Sequence, residues 1–288
     1  MIYISLTTVP ERMEFERSCR ENLESLLNQK TNRDFKVLYN VPYVYVEKQV
    51  DYDVPEWIYD LALENPKLII NRLEDFGPVT KVVGVVKHTQ DPNDILIICD
   101  DDQLYHEDML EYHIRKLEEY KKSPIAFRGD RLHERRTWTE EDGTKKYLFV
   151  SLADTFPVKM DMNITIPGHW HSVSYYRWMF EDDFLDRDFL LRNWADDIIL
   201  SYYMAKKGHE YVCASWDKET DFRPVNYHGR NSNHFPVVQN LPFESHSGCF
   251  VFRNRTGTRV NDQVTYPQEW VDFIIDYYST GKIYIQHD

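Results

Sequence analysis

The stretch ILIICDDDQLY, residues 95–105, decides how this chain is read. Apolar, mostly β-branched residues run from Ile95 to Ile98 and give way to three consecutive carboxylates, Asp100, Asp101 and Asp102. Such a run suits a strand covered on both faces. Adjacent like charges repel one another, so a positive partner is expected among the three. The pattern predicts a buried strand over 94–100 with a charged site at its carboxyl end.

Working outward, the same alternation of elements recurs. Ile2 to Leu6 reads as a first strand, closed by Thr7-Thr8-Val9-Pro10. Glu11 to Lys30 reads as one helix, with Phe15, Cys19, Leu23, Leu26 and Leu27 on one face. Strands are expected at 35–39 and 68–70, with 43–66 irregular and rich in Tyr between them. Helices are expected at 80–88 and 106–122, and a strand at 125–127. Strand, helix, strand with short connections predicts an α/β domain with a mainly parallel sheet flanked by helices. Ligands of such sheets bind beyond the carboxyl ends of the strands, where the triplet lies.

The second half is less regular. Residues 130–146 are charged and read as an exposed hairpin or loop, and 147–152 as a strand. A helix is expected from about Ala195 to Lys207 with Gly208 as its cap, then a strand at 211–214. Residues 216–265 show little periodicity. Pro267 opens a last helix, with Trp270, Phe273, Ile274 and Tyr277 expected to pack inward. The division expected is a core over 1–215 and an irregular extension over 216–288 packed on it, the whole one compact domain.

Composition narrows the function classes. Of 288 residues, 42% are hydrophobic and 15% aromatic, which supports a sizeable core and argues against disorder. The net charge of −14 repels nucleic acid and anionic lipid. No apolar run reaches the roughly 18 residues of a membrane span, and the N-terminus does not read as a signal peptide. Cys19, Cys99, Cys213 and Cys249 form no CxxC pair, which favours reduced thiols and a cytoplasmic setting. Oligomeric state is not set by these features. If the substrate is a phosphate, its charge must be met by a metal or a few basic residues.

Hard divalent cations take oxygen ligands and bind through one or two carboxylates plus substrate phosphates. A strand ending in Asp-x-Asp sends its first and third side chains to the same side, so Asp100 and Asp102 are candidate metal ligands, with Asp101 turned away or bracing a loop. The alternative is a solvated acidic turn before the next helix, where negative charge is also favourable.

At four places the chain resembles the GT-A glycosyltransferases, the nucleotide-sugar enzymes that carry a DxD motif. They are Ser5-Leu-Thr-Thr-Val-Pro-Glu-Arg12 after the first strand, Phe76-Gly-Pro-Val-Thr-Lys81, Ile98-Cys-Asp-Asp-Asp102, and Trp194-Ala-Asp-Asp-Ile198. Order and spacing fit over about residues 1–215, closest in flavour to small enzymes of bacteria and large DNA viruses. The resemblance implies a GT-A type, Rossmann-like mixed sheet, with 1–215 as the nucleotide-sugar-binding and catalytic core and 216–288 packed on its acceptor side. Were the chain viral, the expected location is the host cytoplasm.

The resemblance implies a metal-dependent transferase, using Mn²⁺ or Mg²⁺, that moves a sugar from a nucleoside diphosphate sugar to a glycan or other hydroxyl acceptor. UDP-sugars are the donor class favoured, and both hexoses and pentoses are admitted. Thr7, Thr8, Arg12, Gly77, Lys81, Asp100 and Asp101 then face the donor, and Asp102 with Asp100 holds the metal. A C-terminal histidine is expected as a further ligand, His228 or alternatively His246. In the inverting form Asp197 is the base, and Asp196 binds acceptor hydroxyls. Gly168, His169 and Trp170, in a loop expected over 167–174, and Trp194 are expected at the sugar or acceptor. A retaining enzyme of the same fold would use the acidic pair to bind sugar.

Other classes fit less well. A haloacid dehalogenase-type phosphatase needs Thr or Val shortly after its second Asp, where this chain has Gln103-Leu104. A nucleotidyltransferase would show a Gly- and basic-rich loop after the first strand, and Thr7-Thr8-Val9-Pro10 is not one. A carbohydrate-binding protein without activity would leave the three aspartates at the end of a buried strand unexplained.

Overall fold

The computed structural model describes residues 1–139, 145–152, 160–191, 196–215, 258–260, 263–265 and 268–279. Its first strand, β1 (Ile2–Thr7), alternates Ile2, Ile4 and Leu6 toward one apolar layer with Tyr3 and Ser5 toward the other. The expected single helix over 11–30 is two helices, α1 (Pro10–Met13) and α2 (Glu16–Leu27). They part at Phe15, whose φ of −95° and ψ of 69° are not helical. The Arg12 carbonyl accepts from the Phe15 N–H and from the Cys19 thiol, which stabilises the break.

β2 (Phe35–Pro42) follows. Residues 43–66, expected to be irregular, hold a small hairpin of β3 (Val44–Tyr45) and β4 (Val50–Asp51), then α3 (Glu56–Glu64). That helix buries Ile58 and Leu61 but exposes Tyr59 and Leu63, so its apolar residues are not confined to one face and its period is obscured. β5 (Leu68–Leu73) runs three residues past its expected end. α4 (Thr80–His88) comes next, then β6 (Ile95–Ile98), shorter than expected, so Cys99 and the triplet lie beyond the strand end. α5 (Met109–Glu119) begins three residues later than expected and leads to β7 (Ile125–Ala126).

The charged stretch after Arg128 is a long hairpin of β8 (Gly129–Thr139) and β9 (Lys145–Leu152), its register broken between Leu132 and Thr137. β10 (Met162–Ile164) and β11 (Ile166–Pro167) follow, and β11 pairs with β8. The loop expected over 167–174 is shorter: a single 3₁₀ turn, His169–His171, feeds β12 (Val173–Tyr176), a central strand. After α6 (Arg187–Leu191) comes α7 (Asp196–Lys206), capped as expected by Gly208 at φ +80°, a backbone that suits glycine. β13 (Tyr211–Cys213), the hairpin of β14 (Thr258–Val260) and β15 (Gln263–Thr265), and α8 (Gln268–Ser279) complete the described elements.

The main sheet has the order β10-β13-β7-β12-β6-β1-β2-β5. β6, β1, β2 and β5 run parallel, as do β7 and β13, while β12 is antiparallel to both neighbours. The expected mixed, mainly parallel α/β sheet is therefore present. α2, α3 and α5 pack their apolar faces on one side, and α4, α7 and α8 on the other. In α8, Trp270 is buried and stacks on Tyr202 of α7, and Ile274 is buried. Phe273, expected inside, is 39% exposed and meets Tyr202 only by its edge.

One close approach matters for the site. A Cβ on Gly84 of α4 would lie 1.9 Å from the Asn40 Oδ1, so only glycine lets this helix lie so near β2. At the same place the Ser5 hydroxyl of β1 donates to the Lys81 carbonyl at 2.6 Å. Asn40 ties the strands together, donating to the Ser5 Oγ and the Leu6 carbonyl and accepting from Asn71. These bonds seat α4 so that Lys81 faces the strand ends.

Candidate active site

The chain order reverses at β1: β2 and β5 lie on one side of it and β6 on the other. Beyond the carboxyl ends of such a switch point is where α/β sheets bind ligands. A cavity of about 340 Å³ opens there, between the loop after β1, the turn before α4, the triplet after β6 and the start of α7. It is lined by six carboxylates, Asp75, Asp100, Asp101, Asp102, Asp196 and Asp197, with Arg12 and Lys81 as its cations and His169 at one wall.

Among the described residues, both of these cations pair with the triplet. Arg12 bonds through Nη1 to the Asp101 Oδ1, and its Nη2 lies 3.4 Å from the Asp102 Oδ2. The Thr8 hydroxyl donates to the other oxygen of Asp101. Gln103 donates to the Asp102 Oδ1 at 3.1 Å. Lys81, 3% exposed, bonds its ammonium to Asp100 and lies 2.7 Å from the Asp196 Oδ2. The Asp100 backbone is held as well, since Tyr105 accepts from its N–H and donates to its carbonyl.

The pairings set the charges. Burial pushes the Lys81 ammonium down, but Asp100 and Asp196 outweigh it and hold the pKa above the ordinary lysine range. Burial pushes Asp196 up, and Lys81 with His169 reverses this, leaving it below the usual carboxylate range. Asp197 goes the other way, raised by burial and by the charge of Asp196. Asp101 is raised, chiefly by burial, which the Arg12 guanidinium only partly offsets. The site thus holds neighbouring carboxylates pushed in opposite directions, an arrangement typical of acid–base chemistry.

Asp197, its side chain 32% exposed, accepts from both the backbone N–H and the ring Nδ1 of His169. The other ring nitrogen of His169 lies 2.7 Å from the Tyr175 hydroxyl, which is 3.0 Å from that of Tyr211. Ligand atoms of His169, Asp196 and Asp197 lie within 4.8 Å of one another, close enough to share a cation.

The cavity brings together Thr7, Thr8, Arg12, Gly77, Lys81, the triplet, His169, Asp196 and Asp197, all singled out from sequence. Gly168 lies outside its lining, donating its N–H to the Arg128 carbonyl, and Trp170 is the middle residue of the 3₁₀ turn. Trp194, His228 and His246 lie outside the described residues. Sequence reading missed Tyr45, Tyr52 and Asp75. The two tyrosines meet edge to face at 5.7 Å, and the Tyr52 hydroxyl donates to the Thr8 carbonyl. Asp75, raised by burial, accepts from the N–H groups of Val46 and Gly77. The clustering of Tyr in 43–66 was the available signal. Cys19, Cys99 and Cys213 are free and buried, and burial pushes their thiols up, away from reactivity. Among the described residues no helix is long and apolar enough to cross a membrane.

No family model matches the chain, and no curated protein matches it. Among solved structures it is similar to S. aureus TarS 1-349, as a complex with UDP at a TM-score of 0.42 and alone at 0.43. Identity is 13% in both, over 96% of this chain and 89% of that chain. A likeness of that depth leaves the functional reading to the geometry of the site.

Proposed function

We propose that this chain is a metal-dependent glycosyltransferase that moves a sugar from a nucleoside diphosphate sugar, a UDP-sugar by preference, to a hydroxyl of a glycan or small acceptor. The observation that carries the reading is the switch-point cavity, where six carboxylates face only Arg12 and Lys81 among the described residues. Such an excess repels a diphosphate unless a cation accompanies it. An oxygen-rich donor set of this kind suits a hard divalent ion, which pairs naturally with substrate phosphates. Asp100 and Asp102 would hold Mn²⁺ or Mg²⁺, and the ion when bound would neutralise charge developing on the leaving diphosphate.

The protein's own groups do the rest. Arg12 and Lys81 brace the triplet against its self-repulsion and fix which carboxylate oxygens face the cavity. Asp197 is the base. It takes the acceptor hydroxyl's proton as the acceptor oxygen bonds to the anomeric carbon. The bond from that carbon to the phosphate oxygen breaks, and the nucleoside diphosphate leaves with the electron pair. Attack opposite the leaving group inverts the anomeric centre. The upward shift of Asp197 suits this role, because a base works best with a pKa nearer the operating pH.

Thermal unfolding with UDP, GDP, ADP and CDP, with and without Mn²⁺, tests the reading. A ligand of the folded state raises the midpoint by mass action. A rise with one nucleotide that needs the metal supports the proposal; no rise with any of them overturns it.

A further inference from the structure

We infer that His169 is a positioning residue that fixes Asp197 for proton abstraction, anchored from behind by the buried hydroxyls of Tyr175 and Tyr211. This rests on the reading of Asp197 as the base. His169 is 1% exposed, so it presents almost no surface to a sugar. It gives Asp197 two donors on one oxygen: the backbone N–H at 3.2 Å and the ring Nδ1, both on Oδ1. A carboxylate can only accept, so Nδ1 carries the hydrogen. Holding Oδ1 twice stops the carboxylate from rotating and leaves Oδ2 for the acceptor's proton, on a residue that lines the cavity.

The ring itself is held from behind. Its Nε2 meets the Tyr175 hydroxyl, and its plane lies 12° from that of Tyr175 at 6.2 Å. Tyr175 belongs to β12, hydrogen-bonded to β6, and both Tyr175 and Tyr211 are fully buried. The chain Tyr211–Tyr175–His169–Asp197 therefore ties the base to the rigid middle of the sheet. The far end of the turn is pinned too, because His113 bonds the Ser172 hydroxyl at 2.8 Å while Ser172 sits at φ +93°, a strained position for a residue with a side chain. The same cluster suits a cation less well. Nδ1 carries its hydrogen toward Asp197 and so has no lone pair for a cation.

The test uses the full chain with His169→Leu, His169→Asn and Tyr175→Phe. Asn keeps an N–H near the place of Nδ1 but does not reach Tyr175. His169→Leu is expected to lower kcat about 100-fold with donor KM within about 2-fold, the size of effect a misplaced base gives. His169→Asn should recover about 10-fold of that loss, and Tyr175→Phe should cost kcat about 3- to 10-fold with KM unmoved. A His169→Leu enzyme within about 2-fold of the parent in kcat, or an Asn variant no better than Leu, overturns the inference. A second readout is independent of turnover. With ¹⁵N-histidine, one strongly hydrogen-bonded ring N–H should appear at low field and vanish in both His169→Asn and Asp197→Ala. Its absence from the parent protein overturns the inference even if transfer is seen. Its presence in a chain that transfers no sugar upholds the pairing and refutes the transferase reading instead.

Discussion

Lys81 sits between Asp100 and Asp196, its ammonium bonded to the first and 2.7 Å from the second, joining the end of β6 to the start of α7. The two carboxylates come from opposite halves of the chain and meet only because α4 packs beside β1. Removing one member of a buried ion group costs far more than the group itself contributes, because the remaining charges lose their compensation. Lys81→Met should therefore destabilise the protein by about 3 kcal/mol in urea denaturation. A loss below about 0.5 kcal/mol would mean that water already solvates both carboxylates.

The triplet and the acidic pair should separate donor binding from transfer. Asp102→Ala is expected to abolish the metal-dependent nucleotide shift and turnover together. Asp197→Asn should keep that shift while transfer falls by about 10³-fold, within the range of general base catalysis. Near-normal transfer by Asp197→Asn would remove Asp197 from the chemistry.

The opposite shifts of the two neighbours give a pH signature. The base proposed, Asp197, must be ionised, so kcat is expected to fall as pH drops through its pKa. Raised by burial and by Asp196, that pKa should put the acid limb above the ordinary aspartate value of about 3.9. An acid limb at or below that value would contradict the raised pKa. In stability the signs differ. The raised Asp197 contributes fully below the unfolded value and loses its contribution as pH rises through the folded one. The lowered Asp196 contributes above the unfolded value and loses its contribution as pH falls through its depressed one.

Gly84→Ala tests how α4 delivers Lys81. The added methyl must displace the Asn40 side chain, and with it the bonds to Ser5 and Leu6. Overpacking of this kind costs about 1–3 kcal/mol. Turnover should fall as well, since Lys81 moves with the helix. An unchanged urea midpoint would show that Asn40 yields freely.

Much of the α/β core is legible without coordinates. The period of β1, α4, β6 and α5 and the Gly208 cap follow from local rules, because a residue facing a core must be apolar wherever the chain bends or runs straight. The same reading located the triplet at a strand's carboxyl end and expected a positive partner there, but it assigned Arg12 and Lys81 to the donor and did not pair them with the triplet as the structure does. Other features carried no local signal. β12, Val173-Ser174-Tyr175-Tyr176, is short and lacks a period of its own; its first two residues read as part of the loop over 167–174 until pairing with β6 and β7 places them in the sheet. α1 and α2 read as one helix because the break at Phe15 is set by bonds to Arg12, not by glycine or proline.

What the sequence alone determined is which residue types had to meet: three carboxylates cannot end a buried strand without cations nearby. Only the tertiary structure decided the partners, Arg12 with Asp101 and Asp102, Lys81 with Asp100 and Asp196, and His169 with Asp197. The physical reason is one of range. Helix and strand periodicity is written between residues a few positions apart, whereas a hydrogen bond or ion pair across a cavity depends on register, helix packing and the turn before β12. Those are settled by the whole sheet at once.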